Sequence, residues 1–167
     1  MTLKELFEFQ TIQTDPNFAN YRFNHHEHKV VLLDFGATRD MPTDMVEGYR
    51  KLMRAGLDNS RSKIQEAAAD IGYLASDKNH QKNEVVIDLL LMACEPLCHH
   101  GLYDFAASSL PKRMHDLGMS LALDRNYWHS PPINALFLHR KLAGMYLLAA
   151  RLNAVVDVRS LAYRYLN

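Results

Sequence analysis

The sequence is short of several things, and each shortage removes a class of protein. Only two of its 167 residues are cysteine, Cys94 and Cys98. That number cannot build the disulfide framework on which small secreted domains rely, so a reducing, cytoplasmic setting is the simpler expectation. Charge of one sign is missing too: 19 Lys+Arg against 19 Asp+Glu give a formal net charge of zero. Nucleic-acid binders need a basic surface to neutralise phosphates, so nucleic acid is not an expected partner. The same balance gives no support to a polybasic membrane anchor. Long apolar runs are also lacking. Val85–Cys94 is broken by Asp88 and Leu142–Ala150 by Gly144, and both fall short of the roughly 20 residues that span a bilayer. The N-terminal MTLKELFEFQ has no apolar run followed by a small-residue cleavage site, so no signal peptide is read there. Cytoplasmic location, with membrane association left open, is the expectation.

What is present is ordinary globular material, 48% apolar and 23% charged, in a length that can bury a real core. With no repeat, linker or low-complexity tract, residues 1–167 read as one domain. Thr2 to Ile12 reads as a helix opened by a capping box, Thr2-Leu3-Lys4-Glu5, with Leu3, Leu6 and Phe7 inward. Pro16 blocks its continuation, and Thr14-Asp15-Pro16-Asn17 is turn chemistry. Asn20–Phe23 and Lys29–Phe35 read as two strands of a hairpin whose polar tip is Asn24-His25-His26-Glu27-His28. Val30-Val31-Leu32-Leu33 is apolar on both faces, which predicts a strand covered on both sides.

Beyond Pro42 the periodicity is helical almost throughout. Helices are expected from Pro42 to about Leu57, from Asn59 or Ser60 to about Tyr73, and from Gln81 to Cys94. The last of these is apolar most of the way round and is expected to be a central buried helix. Another starts at Pro111, with Met114, Leu117, Gly118 and Leu121 inward. Trp128 to Pro132 is a loop. A long helix follows to Leu152, carrying Leu136, Phe137, Leu138, Leu142 and Tyr146, and Asp157 caps a last one to Leu166. The fold class is mainly α, a helical bundle with one short β-hairpin.

The most informative stretch is Gln13 to Gly36, QTDPNFANYRFNHHEHKVVLLDFG. It holds Asp15, then Asn20, then a hairpin, then Asp34-Phe35-Gly36. Magnesium prefers a few carboxylate or amide oxygens and shares the rest of its shell with phosphate and water. Asn20 and Asp34 sit at opposite ends of the hairpin segment, so pairing of its strands can bring them together. Asp15, in the loop before, is placed to accept a proton from an attacking hydroxyl or to orient it. Asp-x-x-x-x-Asn followed by Asp-Phe-Gly is the layout of a kinase catalytic loop and its metal-binding turn. Each piece alone is weak, since Asp15 and Asn20 also suit turns and Asp34 suits a strand end. The ordered set is far more specific.

Residues 13–20 together with Lys29-Val30-Val31-Leu32-Leu33-Asp34-Phe35-Gly36-Ala37-Thr38-Arg39 resemble the UbiB/AarF atypical kinases, protein-kinase-like proteins linked to ubiquinone biosynthesis. The resemblance extends to Leu3-Lys4-Glu5-Leu6-Phe7-Glu8-Phe9 and, much later, to Leu138-His139-Arg140-Lys141. It implies the C-terminal lobe of a kinase-like fold, with residues 1–40 as catalytic loop, hairpin and Asp-Phe-Gly segment and residues 41–167 as helical bundle. It makes Asp15 the catalytic-loop aspartate, and Asn20 and Asp34 the ligands of Mg²⁺ and ATP. The strand lysine, the phosphate-covering loop and the Lys-x-Gly-Gln segment of such proteins are not among these residues. Lys4 and Lys29 sit in elements already assigned and do not replace that lysine. The expectation is therefore a fragment or truncated reading frame, inactive alone, whose partner is the N-terminal lobe or another protein, with lipid or quinone-pathway proteins further candidates. The alternative is a kinase-like module without chemistry that binds a protein or lipid. Which substrate receives the phosphate is not encoded in these motifs.

Smaller features have plainer readings. His25, His26 and His28 around Glu27 are metal-capable side chains on what reads as a solvated loop. Cys94 and Cys98 are spaced i, i+4 without a second pair and read as buried thiols near a helix end. Arg39 is expected to fix the loop after Asp-Phe-Gly, against a carboxylate. Arg140, on an otherwise apolar helix side, is expected to be buried and paired with Asp44 or Glu47. Tyr127 and Trp128 read as core or rim.

Overall fold

The computed structural model describes residues 1–74, 80–122 and 130–166. It is mostly helical, with three two-stranded antiparallel sheets. A short helix α1 (Thr2–Lys4) continues as a π-helical turn, Glu5–Phe9. The strands that follow are β1 (Thr11–Gln13), β2 (Tyr21–Asn24), β3 (Lys29–Leu32) and β4 (Thr38–Asp40). Then come α2 (Thr43–Leu57), α3 (Arg61–Ile71), α4 (His80–Ala93) and the single turn α5 (Glu95–Cys98). A two-residue strand β5 (Tyr103–Asp104) precedes α6 (Leu110–Ala122) and the long α7 (Ile133–Arg151). Its partner β6 (Val155–Val156) leads into α8 (Val158–Leu166).

The first helix stops short of its expected end. Gln10 turns left-handed, at φ 51°, and the chain leaves the helix there. Residues 11–13 are drawn instead into a ladder with residues 38–40, Ile12 opposite Arg39. No local period reveals a partner so far along the chain. The capping box does not form either. The Thr2 hydroxyl is buried without a hydrogen-bond partner among the described residues, and the Glu5 carboxylate turns to Lys141 on α7.

The helices obey their periods more closely. In α2 the buried residues include Val46, Tyr49, Leu52, Met53 and Gly56, and in α3 they are Ile64, Ala67, Ala68 and Ile71. These are the stripes that 3.6-residue spacing dictates, and α3 packs along α2. Gly72 ends α3 at φ 91°, a left-handed cap glycine takes without steric cost. At α8, Asp157 Oδ1 accepts from the Ser160 N–H at 3.0 Å, an N-cap that leaves the carboxyl below its ordinary value because the anion is what the Ser160 N–H and hydroxyl bind.

Two expectations for the helices need correction. Helix α4 is one-sided rather than buried all round: Val86, Ile87 and Leu90 are inside while Glu84 and Asp88 face solvent and pair with Arg61. Leu136 on α7 is exposed, the inward positions being Ala135, Leu138 and Lys141. On α6, Met114, Leu117 and Gly118 are half-buried; Leu121, Tyr127 and Trp128 lie outside the described residues and side chains.

The largest departure is the hairpin. β2 and β3 pair as read, Tyr21 opposite Leu32 and Asn24 opposite Lys29. Yet most of β3 lies uncovered: Leu32 is half-buried, but Val30 is 58% exposed, and Val31, Leu33 and Phe35 are exposed as well. Alternation tells which residues share a face, but a second layer must exist in space to cover it, and among the described residues none does.

Candidate functional site

Two ladders, one inside the other, frame the site. The outer one is β1 with β4, and it extends by one step, the Thr14 N–H donating to Ala37 O at 2.8 Å. The inner one is β2 with β3, extended by the Leu33 N–H donating to Asn20 O at 3.0 Å. Between them the chain runs through two facing arms, residues 15–19 on one side and residues 34–36 on the other. Asp15 opens the first arm, Asn20 closes it, and Asp34 opens the second. The unequal arm lengths follow from a shift of register between the ladders.

The longer arm is folded back on itself. Pro16 fixes φ, Asn17 Oδ1 accepts from the Ala19 N–H at 3.0 Å, and a 3₁₀ turn covers Phe18–Asn20. This contraction lets Asn20 Nδ2 reach back to Asp15, at 3.1 Å from Oδ2 and 3.4 Å from the backbone carbonyl. Asn20 is buried and Asp15 half-buried. In the shorter arm, the exposed Asp34 closes a turn through Oδ1, which accepts from the Gly36 N–H at 2.7 Å. The Thr14 hydroxyl donates to Ala37 O at 2.8 Å, tying the two arms at their outer end.

Asp15 and Asn20 are thus in direct side-chain contact, while Asp34 follows Leu33, whose backbone N–H donates to Asn20 O, and turns its own Oδ1 to the Gly36 N–H. Asn20 uses its amide N–H₂ as donor, and its Oδ1 is the atom suited to a cation. Among the described residues, no group of three or more His, Cys, Asp or Glu could hold a metal ion. An amide oxygen and one carboxylate are a sparse donor set. They fit a hard cation that takes most of its shell from phosphate and water, and they do not fit zinc.

Helix α7 backs the first arm. A Cβ added at Gly144 would overlap the Pro16 ring, so the helix and the residue next to Asp15 are in direct contact. Arg140 reaches Asp15 Oδ1 at 3.3 Å. Its expected partners were Asp44 and Glu47 and its expected setting the interior; instead its side chain is 62% exposed and the pair spans 125 positions. Arg39 does fix its loop, but on an amide and a ring: Nε donates to Asn134 Oδ1 at 2.7 Å and the guanidinium lies 4.5 Å from the Phe137 ring centre.

One residue escaped sequence reading. Lys141 is fully buried, 3.2 Å from Glu5 Oε2. A signal existed: Leu138, Lys141, Leu142 and Met145 lie at i, i+3, i+4 and i+7, so a lysine stands in an inward stripe, and a buried lysine requires partners. Glu5, read as a capping residue, hid the other half of the pair.

Away from the site, the hairpin tip is an exposed turn in which His25 and His28 pack on Phe23. Cys94 is buried, and that burial pushes its thiol up to about 12. Cys98 Sγ donates to Gly56 O at 2.8 Å. His139, on α7, stacks on Tyr73 and is held below the ordinary imidazole value by burial. No helix among the described residues is long and apolar enough to cross a membrane.

Comparison with known proteins addresses what these loops belong to. The sequence model of the ABC1 atypical kinase-like domain matches residues 1–68, which include both arms and both ladders. The chain is 35% identical over 161 residues to the rat (Rattus norvegicus) protein named atypical kinase COQ8B, mitochondrial, covering 96% of this chain and 30% of that protein. It is 34% identical over 161 residues to atypical kinase coq-8, mitochondrial, of Caenorhabditis elegans, covering 94% of this chain and 21% of that one. Identity to atypical kinase COQ8, mitochondrial, of Saccharomyces cerevisiae is 32% over 163 residues, covering 96% of this chain and 32% of the yeast protein. The chain therefore spans about a third or less of the length of these relatives, while nearly all of its own length is matched. Residues 1–68, with both ladders and the Asp-Phe-Gly turn, are thus similar to the ABC1 atypical kinase-like domain, and nearly the whole chain is similar to the COQ8 atypical kinases.

Proposed function

We propose that this chain is the C-terminal lobe of an atypical kinase or ATPase and supplies the lower wall of a site for Mg²⁺ and ATP. The observation that carries the reading is the Asp15–Asn20 contact at 3.1 Å, set opposite the Asp34 turn by two nested ladders. Asn20 Oδ1 and the Asp34 carboxylate would hold the cation, and the cation would neutralise charge on the phosphates. Asp15 would be the base: Asn20 steadies one carboxylate oxygen and the exposed Arg140 bonds the other. Phosphoryl transfer needs little beyond such positioning and charge stabilisation.

The bare hairpin supports the same reading. Phe23 and Val30 on one face of the ribbon, and Val31 on the other with Leu33 and Phe35 beyond it, are all exposed beside the site, and exposed apolar surface next to a site is where a partner docks. An upper kinase lobe closing there would cover it and complete the nucleotide cleft. A non-enzymatic module that binds a protein or lipid through this face is the second reading. The family resemblance points to support of ubiquinone biosynthesis, and the mitochondrial names of the relatives favour that organelle over the cytoplasm expected from cysteine usage.

The test is a metal titration. Mn²⁺ shares magnesium's preference for oxygen ligands and is paramagnetic. With ATP present, the 167-residue chain is expected to bind Mn²⁺ weakly, Asp34→Ala to abolish the binding and Asn20→Ala to reduce it. Asp15→Asn should leave it intact, because Asp15 is not a ligand. By itself the chain should turn over no ATP. Equal Mn²⁺ binding by the chain and by Asp34→Ala, or Asp34-dependent ATP turnover by the chain alone, would overturn the corresponding half of the proposal.

A further inference from the structure

The buried Lys141 has more to do than balance Glu5. Its ammonium carries three N–H donors, and three side chains surround it. Glu5 Oε2 lies at 3.2 Å, Gln13 Oε1 at 3.4 Å and the Tyr21 hydroxyl at 3.3 Å. Gln13 is the last residue of β1 and Tyr21 the first of β2. The two therefore bracket the arm that begins near Asp15 and ends at Asn20, and one buried nitrogen binds both ends. Tyr21 is further fixed from α7, its hydroxyl 3.6 Å from Met145 Sδ. Gln13 Nε2 has no partner among the described residues, so its amide is oriented by the lysine rather than by a second bond.

A residue needed only for stability would have no reason to join these particular positions. The arm must be contracted for Asn20 Nδ2 to reach Asp15, and contraction fails if its ends drift apart. Arg140 and Gly144, on the same helix, touch the first two residues of the arm, Asp15 and Pro16. The helix thus holds the arm at both ends.

We infer that Lys141 is the positioning residue of the Asp15–Asn20 arm, its ammonium setting the distance between Gln13 and Tyr21 and so the contact of the two site side chains. The inference rests on the proposed metal and nucleotide site only for its consequence; the positioning itself stands apart from any activity. Lys141 is not a catalytic residue, since Gln13, Tyr21 and Glu5 separate it from the reacting groups.

The experiment measures amide hydrogen exchange in the full chain. Glu5→Leu with Lys141→Met removes both charges together and keeps the interior filled, which avoids leaving an unpaired charge. Expected is exchange at least about tenfold faster at Thr14 and Leu33, whose N–H groups join the two arms, with core amides such as Ile64 and Ile87 unchanged. A purely structural pair would move all four amides by one factor, or none of them, and either result overturns the proposal. Should the double variant fail to fold, Tyr21→Phe decides: it deletes one lysine acceptor, leaves the ion pair, and is expected to speed Leu33 alone. Unchanged exchange at Leu33 in Tyr21→Phe overturns the proposal. A Mn²⁺ titration with ATP separates the two claims. Weaker Mn²⁺ binding in the double variant, against an intact response to Asp34→Ala in the parent, supports both. No response to Asp34→Ala removes the metal site and leaves Lys141 to be judged by exchange.

Discussion

The helix pair α2–α3 and the hairpin β2–β3 both carry apolar side chains at the period of their element, but only the helices bury them. In α3 the inward stripe Ile64, Ala67, Ala68 and Ile71 packs on α2, which precedes it by a short loop. In the hairpin, Val30 and Val31 project on opposite faces of a two-stranded ribbon and both meet solvent. Two antiparallel helices can cover one another, whereas a two-stranded ribbon has two faces and nothing of its own to cover them. The helical part thus closes its own apolar faces, and the hairpin beside the site leaves its faces open.

Substitutions can break or sharpen that contrast. Ile64→Ala, in the closed helical core, should cost about 2–5 kcal/mol, through lost transfer energy and the cavity left behind; urea unfolding measures it. Gly144→Ala lies between the two regions. The added methyl meets the Pro16 ring, so overpacking of about 1–3 kcal/mol is expected, together with faster amide exchange at Thr14, because the arm must move off α7. Val30→Thr is the smallest: on the bare hairpin it should change stability by no more than about 0.5 kcal/mol in the same urea series. If Val30→Thr costs as much as Ile64→Ala, the hairpin is covered in solution and the contrast fails.

How much was legible depended on the range of the contact. The cap at Asp157, the end of α2 at Leu57 and the inward stripe of α3 were readable because their causes lie within a turn or two, a carboxylate three residues before Ser160 and periodic stripes, whereas α3 was read to about Tyr73 and stops at Ile71, before Gly72. The set Asp15, Asn20 and Asp34 was readable for its order and residue types. Its arrangement was not, since the reach of Asn20 to Asp15 depends on a 3₁₀ turn and on two registers that differ. Glu5 was misread because a capping box and a buried ion pair ask for the same residue type, and the pairing with Lys141 spans 136 positions. Arg140 was misplaced for the same reason, its partner lying across the fold rather than along the nearest helix.

The sequence by itself determined the helical stripes, the hairpin pairing and which three polar residues the proposed site is built from, because periodicity, turn residues and side-chain type are local properties. Tertiary structure alone decided that the first helix ends at a left-handed Gln10, that Asp15 is held between Asn20 and Arg140, and that Lys141 grips both ends of the arm. It also decided that most of β3 lies bare, because burial is set by what packs against a strand and not by the strand's own apolar pattern.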